Sequence, residues 1–401
     1  MKILWVKPGK LLPLDTGGKL RTYNILRQLS AHHDLTYLSY YGGRQDAAYE
    51  RDVVEHLPGT VTVHTAAPDT TELERRLDYL RRLLNPAPYA VSKFTDKRVR
   101  RLLGDWIGQR RFDVAVCDFL SSALNFPSEL ATPTVLFRHN VESVLWKRKA
   151  QFEAKWIDRV VSKIEYAKMR RCEPAQVRRF HRVIAVSEQD RTAMNWMVDP
   201  ARISVVPTGV DLSTFIHDPR VRPRGPIVVF TGSMDWEANI DGVEYFCQQV
   251  WPLVLARVPE ARFQIVGRNP HARVKRLASD TVEVTGTVDS VVDYLRAAAV
   301  FVVPLRIGGG TRIKIYEAMA VGKATVSTSV GAEGLDVCSG RDIMLADDPA
   351  TFADAVVNLL EDELLRRRLE SAAAATARQY DWSVIARRFV EVLQRTRQEA
   401  A

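Results

Sequence analysis

A chain of 401 residues that is 46% apolar and 26% charged is long enough for two ordinary domains, each with its own core, and lacks the composition of a disordered protein. Its formal net charge of +9 favours acidic partners, while four scattered cysteines without CxxC spacing exclude a disulfide scaffold or a zinc ribbon. No apolar run nears the roughly 18 residues that span a bilayer, and the start MKILWVKPG is too short in apolar residues for a signal-peptide core of about 7 to 15, so a cytoplasmic protein is expected.

Residues 2–6 read as a strand, and the loop PGKLLPLDTGGKLRT then leads into an amphipathic helix carrying Leu20, Tyr23, Leu26 and Leu29. Further strands are expected at 35–41, 61–64, 113–117, Thr134–Phe137 and 182–186, with helical stretches between them. Short β-branched runs alternating with longer helical ones predict an α/β fold with parallel sheets covered on both faces. Residues 206–226, rich in proline and turn residues, read as a linker between an amino-terminal lobe of residues 1–205 and a second lobe of residues 227–380. In the second lobe the spacing predicts strands at Ile227–Thr231, Arg262–Val266, 281–285, Val300–Val303, Ala324–Ser327 and 343–345, and helices at 242–256, 291–298 and Pro349–Glu361. Residues 381–401 carry Trp382, Ile385, Phe389 and Val392 on one helical side and are expected to cross back onto the first lobe.

The most informative stretch is AVFVVPLRIGGGTRIKIYEAMAVGKATVSTSVGAEG, residues 299–334. It reads as strand, glycine loop (Gly308, Gly309, Gly310), a helix opened by Thr311 and stopped by Gly322, and a second strand. Arg312 and Lys314 fall at the positive end of the helix dipole, where a cation is disfavoured by a few tenths to about 1 kcal/mol. Exposed glycine N–H groups beside two cations make a phosphate site. Glu317 sits among apolar neighbours and needs hydrogen-bond donors, which a ribose diol supplies; the plain alternative is a surface pair with Lys314 at i, i+3.

Ligands of open α/β sheets bind beyond the carboxyl ends of strands. Glycines and small residues recur there: Gly17 and Gly18 after the first strand, Gly232 and Ser233, Gly267, and Gly286-Thr287-Val288. Each alone is also an ordinary turn. His139, in Arg138-His139-Asn140 at another strand end, can offer a ring nitrogen or its carbonyl to a sugar, whereas Asn140 fits a helix cap and Ser187 caps with Asp190. Without a GxGxxG fingerprint or a GxxxxGK[ST] loop, nicotinamide dehydrogenases and P-loop NTPases are excluded. Without an Asp-x-Asp triplet, no metal site and a metal-independent leaving group are expected.

Together these residues resemble the GT-B glycosyltransferases of retaining family four (glycosyl transferases group 1) over nearly the whole chain. The likeness rests on Gly17 to Arg21, Arg138-His139-Asn140, the VPTGVD segment from Val206 with Phe215, Phe230-Thr231-Gly232, Val266-Gly267, Gly286-Thr287-Val288 and above all the stretch from Pro304 to Gly334. It implies two Rossmann-like, doubly wound lobes facing each other across a cleft, no cofactor, and a nucleoside-diphosphate sugar as co-substrate. Sugar transfer would retain the anomeric configuration, with the departing diphosphate helping to take the acceptor proton. The resemblance places Glu317 on the donor ribose, Arg312 and Lys314 near the diphosphate, His139 beside the donor sugar and Gly17-Gly18 in a loop over the phosphates. Gly232, Ser233, Gly267, Val288, Gly309, Gly310 and Thr311 complete the donor set. Two departures stand out: Gly309 replaces a common Glu, and Ser233 and Asn239 replace a common Arg and Lys. Arg312 and Lys314 are expected to compensate, with Lys19 or Arg21 adding to them.

From Trp146 to Arg182 the chain is dense in Lys and Arg, with Trp146, Phe152 and Trp156 near one end and Glu153, Asp158, Glu165 and Glu173 diluting the charge. This suggests docking to an anionic membrane surface, on the inner face, and a saccharide or lipid-linked acceptor in polysaccharide or glycoconjugate synthesis. No nucleic-acid module is present. A non-catalytic nucleotide-sugar-binding scaffold and a sugar-nucleotide 2-epimerase are the competing readings.

Overall fold

The computed structural model describes residues 1–67, 72–152, 155–307 and 312–400. The chain divides into two compact units, one of Met1–Pro207 with Ile385–Ala401, the other of Thr208–Val384. In the first, strands β1 (Lys2–Pro8), β2 (Asp34–Tyr41), β3 (Thr60–His64), β4 (Val114–Asp118), β5 (Thr134–Phe137), β6 (Arg182–Ala185) and β7 (Ile203–Val205) form one sheet in the order β3-β2-β1-β4-β5-β6-β7. Every pairing is parallel, with Val6 opposite Cys117 where the order reverses between β1 and β4. In the second unit β8 (Ile227–Thr231), β9 (Arg262–Val266), β10 (Val282–Gly286), β11 (Val300–Val303), β12 (Ala324–Ser327) and β13 (Met344–Leu345) run in the order β10-β9-β8-β11-β12-β13, also parallel, reversing between β8 and β11.

The strand sequences explain this arrangement. VAVCD, TVLF and VFVV are buried at every position and apolar apart from Thr134 and the terminal Asp118, as strands covered by helices on both faces must be. The first core joins Leu4, Val6, Leu38, Ala115, Leu136 and Val183 with helix residues such as Leu103, Ile107 and Met169. The second holds an aromatic cluster in which Phe246 lies 4.6 Å from Phe263 and 5.8 Å from Phe352. Among the described residues no helix is long and apolar enough to cross a membrane.

The differences from the sequence reading have local causes. The three-residue β7 was not anticipated, because ISV is too short to show a period and runs straight into proline-containing linker sequence. The helix expected at 242–256 starts at Glu237 and contains a π-turn at Phe246–Val250. Pro252, which has no N–H to donate, follows at the start of the next α-helical segment, so the change of register falls where the hydrogen-bond ladder is already broken. The carboxyl-terminal helix Trp382–Glu399 sets Phe389 5.2 Å from Trp5 and 5.1 Å from Phe137, and Arg182 is ion-paired to Glu399. Truncating Phe389, which is fully buried, removes the ring that closes this aromatic group. Phe389→Ala is expected to lower the unfolding free energy by about 3 kcal/mol, read as an earlier urea midpoint; a loss below about 1 kcal/mol would show that this helix adds little to the core.

Candidate functional site

In the second unit the helix Ile313–Ala320 follows β11, at the end of the sheet where the strand order reverses and ligands of such folds bind. Its carboxyl end closes by a Schellman motif: Gly322 N–H donates to Met319 O (2.9 Å), Lys323 N–H to Ala318 O (2.9 Å), and Gly322 takes φ +74°. At its start Arg312 occupies the cap position with no side-chain cap bond, is 4% exposed, and lies with its guanidinium 5.4 Å from the centre of the Trp236 ring. Two residues on, Lys314 donates to Asn239 Oδ1 (3.0 Å) over the Phe230 ring at 4.2 Å. Burial, reinforced by neighbouring Arg312, pulls its ammonium down to a pKa of about 7.

Asn239 holds this arrangement in place. It is 2% exposed, and its amide nitrogen donates to Ser233 O (2.8 Å) while its oxygen receives Lys314. Gly232 leaves room for this contact, since a Cβ there would lie 2.7 Å from both Asn239 Nδ2 and Lys314 Nζ and would displace the two side-chain ends. Gly267 is required in turn, because a Cβ at its φ of +154° would lie 1.6 Å from Gly232 O. Ser233 Oγ donates to Asp235 (2.6 Å) and accepts from Arg268 Nε (3.1 Å). Glu317 is half-buried, and burial pushes its carboxyl up to about 7. It feels Lys314 only through the field; among the described residues no hydrogen bond or ion pair engages the carboxylate.

In the first unit the equivalent strand ends carry a closed polar chain. Asp118, the last residue of β4, accepts from Trp5 Nε1 (3.0 Å), Thr22 Oγ1 (2.6 Å) and His139 Nε2 (2.6 Å). Burial acts to raise its carboxyl, but His139, Lys7 and the Thr22 bond outweigh this and hold it below the usual range. The other ring nitrogen of His139, Nδ1, lies 2.9 Å from Arg21 NH1, and the ring stacks on Phe119 at 3.9 Å and 5°. Burial lowers His139 to about 4, so it is neutral, with Nε2 donating to Asp118 and Nδ1 accepting from Arg21. Arg21 itself is pulled down to about 10 by burial, with Asp190 and Asp118 acting against that shift.

The structure therefore brings together Gly232, Ser233, Lys314 and Arg312, with Glu317 one turn along the helix, and separately Gly18, Arg21 and His139. Gly17 and Gly18 do not form a loop: they are the first residues of the helix Gly17–Ser30, because Thr16 caps it through Lys19 N (3.4 Å). Gly18 is needed there, since a Cβ would meet Phe119 Cζ at 2.8 Å. Asn140 is not the cap expected of it; the first turn of the helix Glu142–Phe152 bonds instead to Val141 O, and the Asn140 carbonyl accepts from Arg138. Ser187 does cap, accepting from Asp190 N at 3.0 Å. Val288 lies half-buried in the turn after β10. Gly308, Gly309, Gly310 and Thr311 lie outside the described residues. Asp118, Phe119, Lys7 and Trp236 were missed, although Asp118 and Lys7 stand at the strand ends to which the rule that found His139 already pointed.

Comparison with known proteins places these features in a lineage. Residues 16–214 match the family model described as Glycosyltransferase Family 4, and residues 225–362 the model described as Glycosyl transferases group 1. A phosphatidyl-myo-inositol mannosyltransferase of Mycolicibacterium smegmatis is 30% identical over 222 residues, 52% of this chain and 56% of that protein. The chain thus spans about half the length of the curated relatives it matches. Among solved structures, Anabaena HepE in complex with UDP and glucose superposes with a TM-score of 0.67 at 18% identity, covering 98% of this chain and 99% of that one. Sucrose-phosphate synthase from Thermosynechococcus elongatus gives 0.72 at 17%, covering 98% of each. Likeness at this identity establishes the fold.

Glu317 and Lys314 give the site a pH signature. Glu317, raised from 4.5, contributes stability that is complete below pH 4.5 and is lost as pH rises through about 7. Lys314, lowered from 10.5, contributes stability that is complete above pH 10.5 and is lost as pH falls through about 7. Without ligand both costs coincide near neutrality. Glu317→Gln should therefore raise the ligand-free urea midpoint at pH 8 by about 1 kcal/mol after allowing for screening, with the gain fading towards pH 4.5; an equal effect at both pH values would show that the carboxylate is not held against its charge.

Proposed function

The chain belongs to the GT-B glycosyltransferases, and from that premise we propose that it transfers a hexosyl group from a nucleoside-diphosphate sugar to a saccharide or lipid-linked acceptor, with retention and without a metal ion. The observation that carries this reading is the start of the helix Ile313–Ala320: a buried arginine and a half-buried lysine at its positive end and, one turn on, a carboxylate without a protein partner among the described residues. A diphosphate meets the first need and a ribose diol the second.

In this mechanism Arg312 and Lys314 take the negative charge that grows on the leaving diphosphate as the glycosidic bond breaks. Glu317 accepts hydrogen bonds from the donor ribose and fixes the register of the nucleotide. The acceptor hydroxyl attacks from the face the diphosphate is leaving, and a diphosphate oxygen takes its proton. His139 positions rather than transfers a proton, because both ring nitrogens are engaged by Asp118 and Arg21; its main-chain carbonyl is the group left to meet a sugar. The relatives named above support the substrate class: a mannosyltransferase among them acts on phosphatidyl-myo-inositol, and HepE is seen with UDP and glucose.

The helix Trp156–Val177 supports peripheral docking on an anionic membrane. Trp156 is 74% exposed, and Ile157, Val160 and Ile164 stand out beside Lys155, Arg159 and Lys163. Glu165 and Glu173, which in the sequence dilute this charge, turn inward: Glu165 accepts from Tyr89 N (2.7 Å), and Glu173 pairs with Arg138 and receives the N–H groups of Glu142 and Ser143. The exposed face is more basic than the sequence suggests. Co-sedimentation with vesicles containing phosphatidylglycerol should fall at least threefold for a Trp156→Ser, Ile157→Ser double variant, about 1 kcal/mol or more of lost burial; unchanged binding would remove the membrane from this reading.

A thermal-shift screen of nucleoside diphosphates tests the donor site. At saturating UDP or GDP the wild type should gain several degrees, and Lys314→Met should lose about 10- to 100-fold in affinity. Binding should also take up a proton at pH 8, where Lys314 is mostly neutral in the empty site, seen as a dependence of calorimetric heat on the buffer. No stabilisation by any nucleoside diphosphate would overturn the assignment.

A further inference from the structure

The start of the helix Glu142–Phe152 is held from outside by three charged side chains that the donor site does not use. Arg138, just past the end of β5, is 1% exposed, and its NH2 alone meets both Glu142 of that helix and Glu173 of the helix Trp156–Val177. The same nitrogen donates to Asn140 O (3.1 Å), while Nε and NH1 have no hydrogen-bond partner among the described residues. Glu173 is fully buried and does the work of a cap, accepting the N–H of Glu142 at 2.9 Å and that of Ser143 at 3.1 Å.

If every group were ionised, two carboxylates would face one guanidinium in a buried place, where an uncompensated charge is costly. Each could then move to a nitrogen of its own, since two stand unengaged. Crowding onto one nitrogen is what a shared proton produces: one carboxyl is neutral and donates to the other, and a single cation balances a single anion. Burial raises the Glu142 carboxyl to about 7, with Arg138 acting against the rise and Glu173 adding to it. Burial acts on Glu173 too, but Arg138, Ser143 and Glu142 outweigh it and hold that carboxyl below its usual range. The proton therefore sits on Glu142, whose side chain is 19% exposed and so has a route to solvent. The other ionisable groups that feel the cluster are the thiols of Cys172, beside Glu173, and Cys117 on β4; burial pushes both up, so both are uncharged. Pro174, directly after Glu173, has no N–H for the carbonyl four residues back, so the long helix has a gap in its hydrogen-bond ladder beside the cluster.

We propose that Arg138, Glu142 and Glu173 form a proton-operated latch. With a proton shared between the two carboxylates, the helix Glu142–Phe152 is fastened to the helix Trp156–Val177; when the proton leaves, the carboxylates part and the first turn loses its cap. A carboxyl raised in the folded protein, as Glu142 is, contributes stability that is complete below pH 4.5 and is lost as pH rises through about 7. The long helix carries Trp156 and the exposed basic side chains, so the latch sets how firmly that face is held. An anionic surface concentrates protons beside it and so favours the closed form. The latch itself stands whether or not that face meets a membrane.

Amide hydrogen exchange on the full chain at pH 6 and pH 8, expressed as protection relative to the unstructured rate at each pH, reads the latch at the Glu142 and Ser143 N–H groups. Between these values the protonated fraction of Glu142 falls from about nine tenths to about one tenth, so protection there should drop about tenfold. The helix Lys97–Gly108 should not change. Glu142→Gln, whose amide donates to Glu173 as the neutral acid does, should keep at pH 8 the protection it shows at pH 6. In the wild type the 13Cδ signal of Glu142 should titrate near neutrality. Equal protection at both pH values, an equal drop in the helix Lys97–Gly108, a pH response that survives in Glu142→Gln, or a 13Cδ midpoint at the ordinary glutamate value would each overturn the proposal. Should Glu142→Gln fail to fold, exchange and the 13Cδ titration of the wild type decide, and failure of either is enough to reject the latch.

Discussion

A lysine ammonium buried at the positive end of a helix, beside an arginine and without a bonded carboxylate, is the constraint around which the second unit is arranged. Lys314 has one protein partner, the Asn239 oxygen, and no anion at bonding distance among the described residues. Holding it there demands a glycine at 232, where a side chain would occupy the ammonium's place, and a glycine at 267, where a side chain would displace Gly232 itself. Both glycines are thereby explained by packing around a charge. The tight backbone at the ends of β8 and β9 is a consequence of where that charge sits.

The first unit solves the opposite problem. Its buried carboxylate, Asp118, has three donors and locks the histidine beside it in one tautomer, while burial, against the pull of Asp118, keeps that histidine neutral. A histidine at a strand end looks in sequence like a base. Here the imidazole is a spacer that joins Asp118 to Arg21 and offers a flat face to Phe119. The same chain of bonds ties β1, β4 and the helix Gly17–Ser30 to one another where the strand order reverses, which fixes the geometry that any ligand of this unit would meet.

Most of the fold was legible because parallel strands covered on both faces are written as short runs rich in apolar and β-branched residues: Thr134–Phe137, Ile227–Thr231, Arg262–Val266, Val300–Val303 and Ala324–Ser327 match residue for residue. The helix stop at Gly322 was legible for a comparable reason, since only a residue tolerant of positive φ completes that motif. What escaped was everything set by contact across the sequence. Nothing in the string Asp118-Phe119 shows that the carboxylate will be shared by Trp5, Thr22 and His139, or that the backbone will turn to φ 66°. Glu165 and Glu173 read as surface charge because their partners, Tyr89 and Arg138, lie 76 and 35 residues away. Gly17 and Gly18 read as a loop because glycine is a poor helix former, a preference that the Thr16 cap overrides.

One of the two departures from the family pattern acquires a physical sense when taken with the Lys314 contact. Where the family resemblance leads one to expect an arginine and a lysine after the first strand of this lobe, the chain has Ser233 and Asn239, and Asn239 is the residue that grips Lys314. The position that would have carried the cation now orients one supplied by the following helix. An amide oxygen fixes the Lys314 amine in direction without pairing the charge it takes up on protonation; a carboxylate in the same place would have paired that charge within the protein. Ser233 and Asn239 therefore act together with Lys314: the amide orients a cation supplied from the start of the following helix.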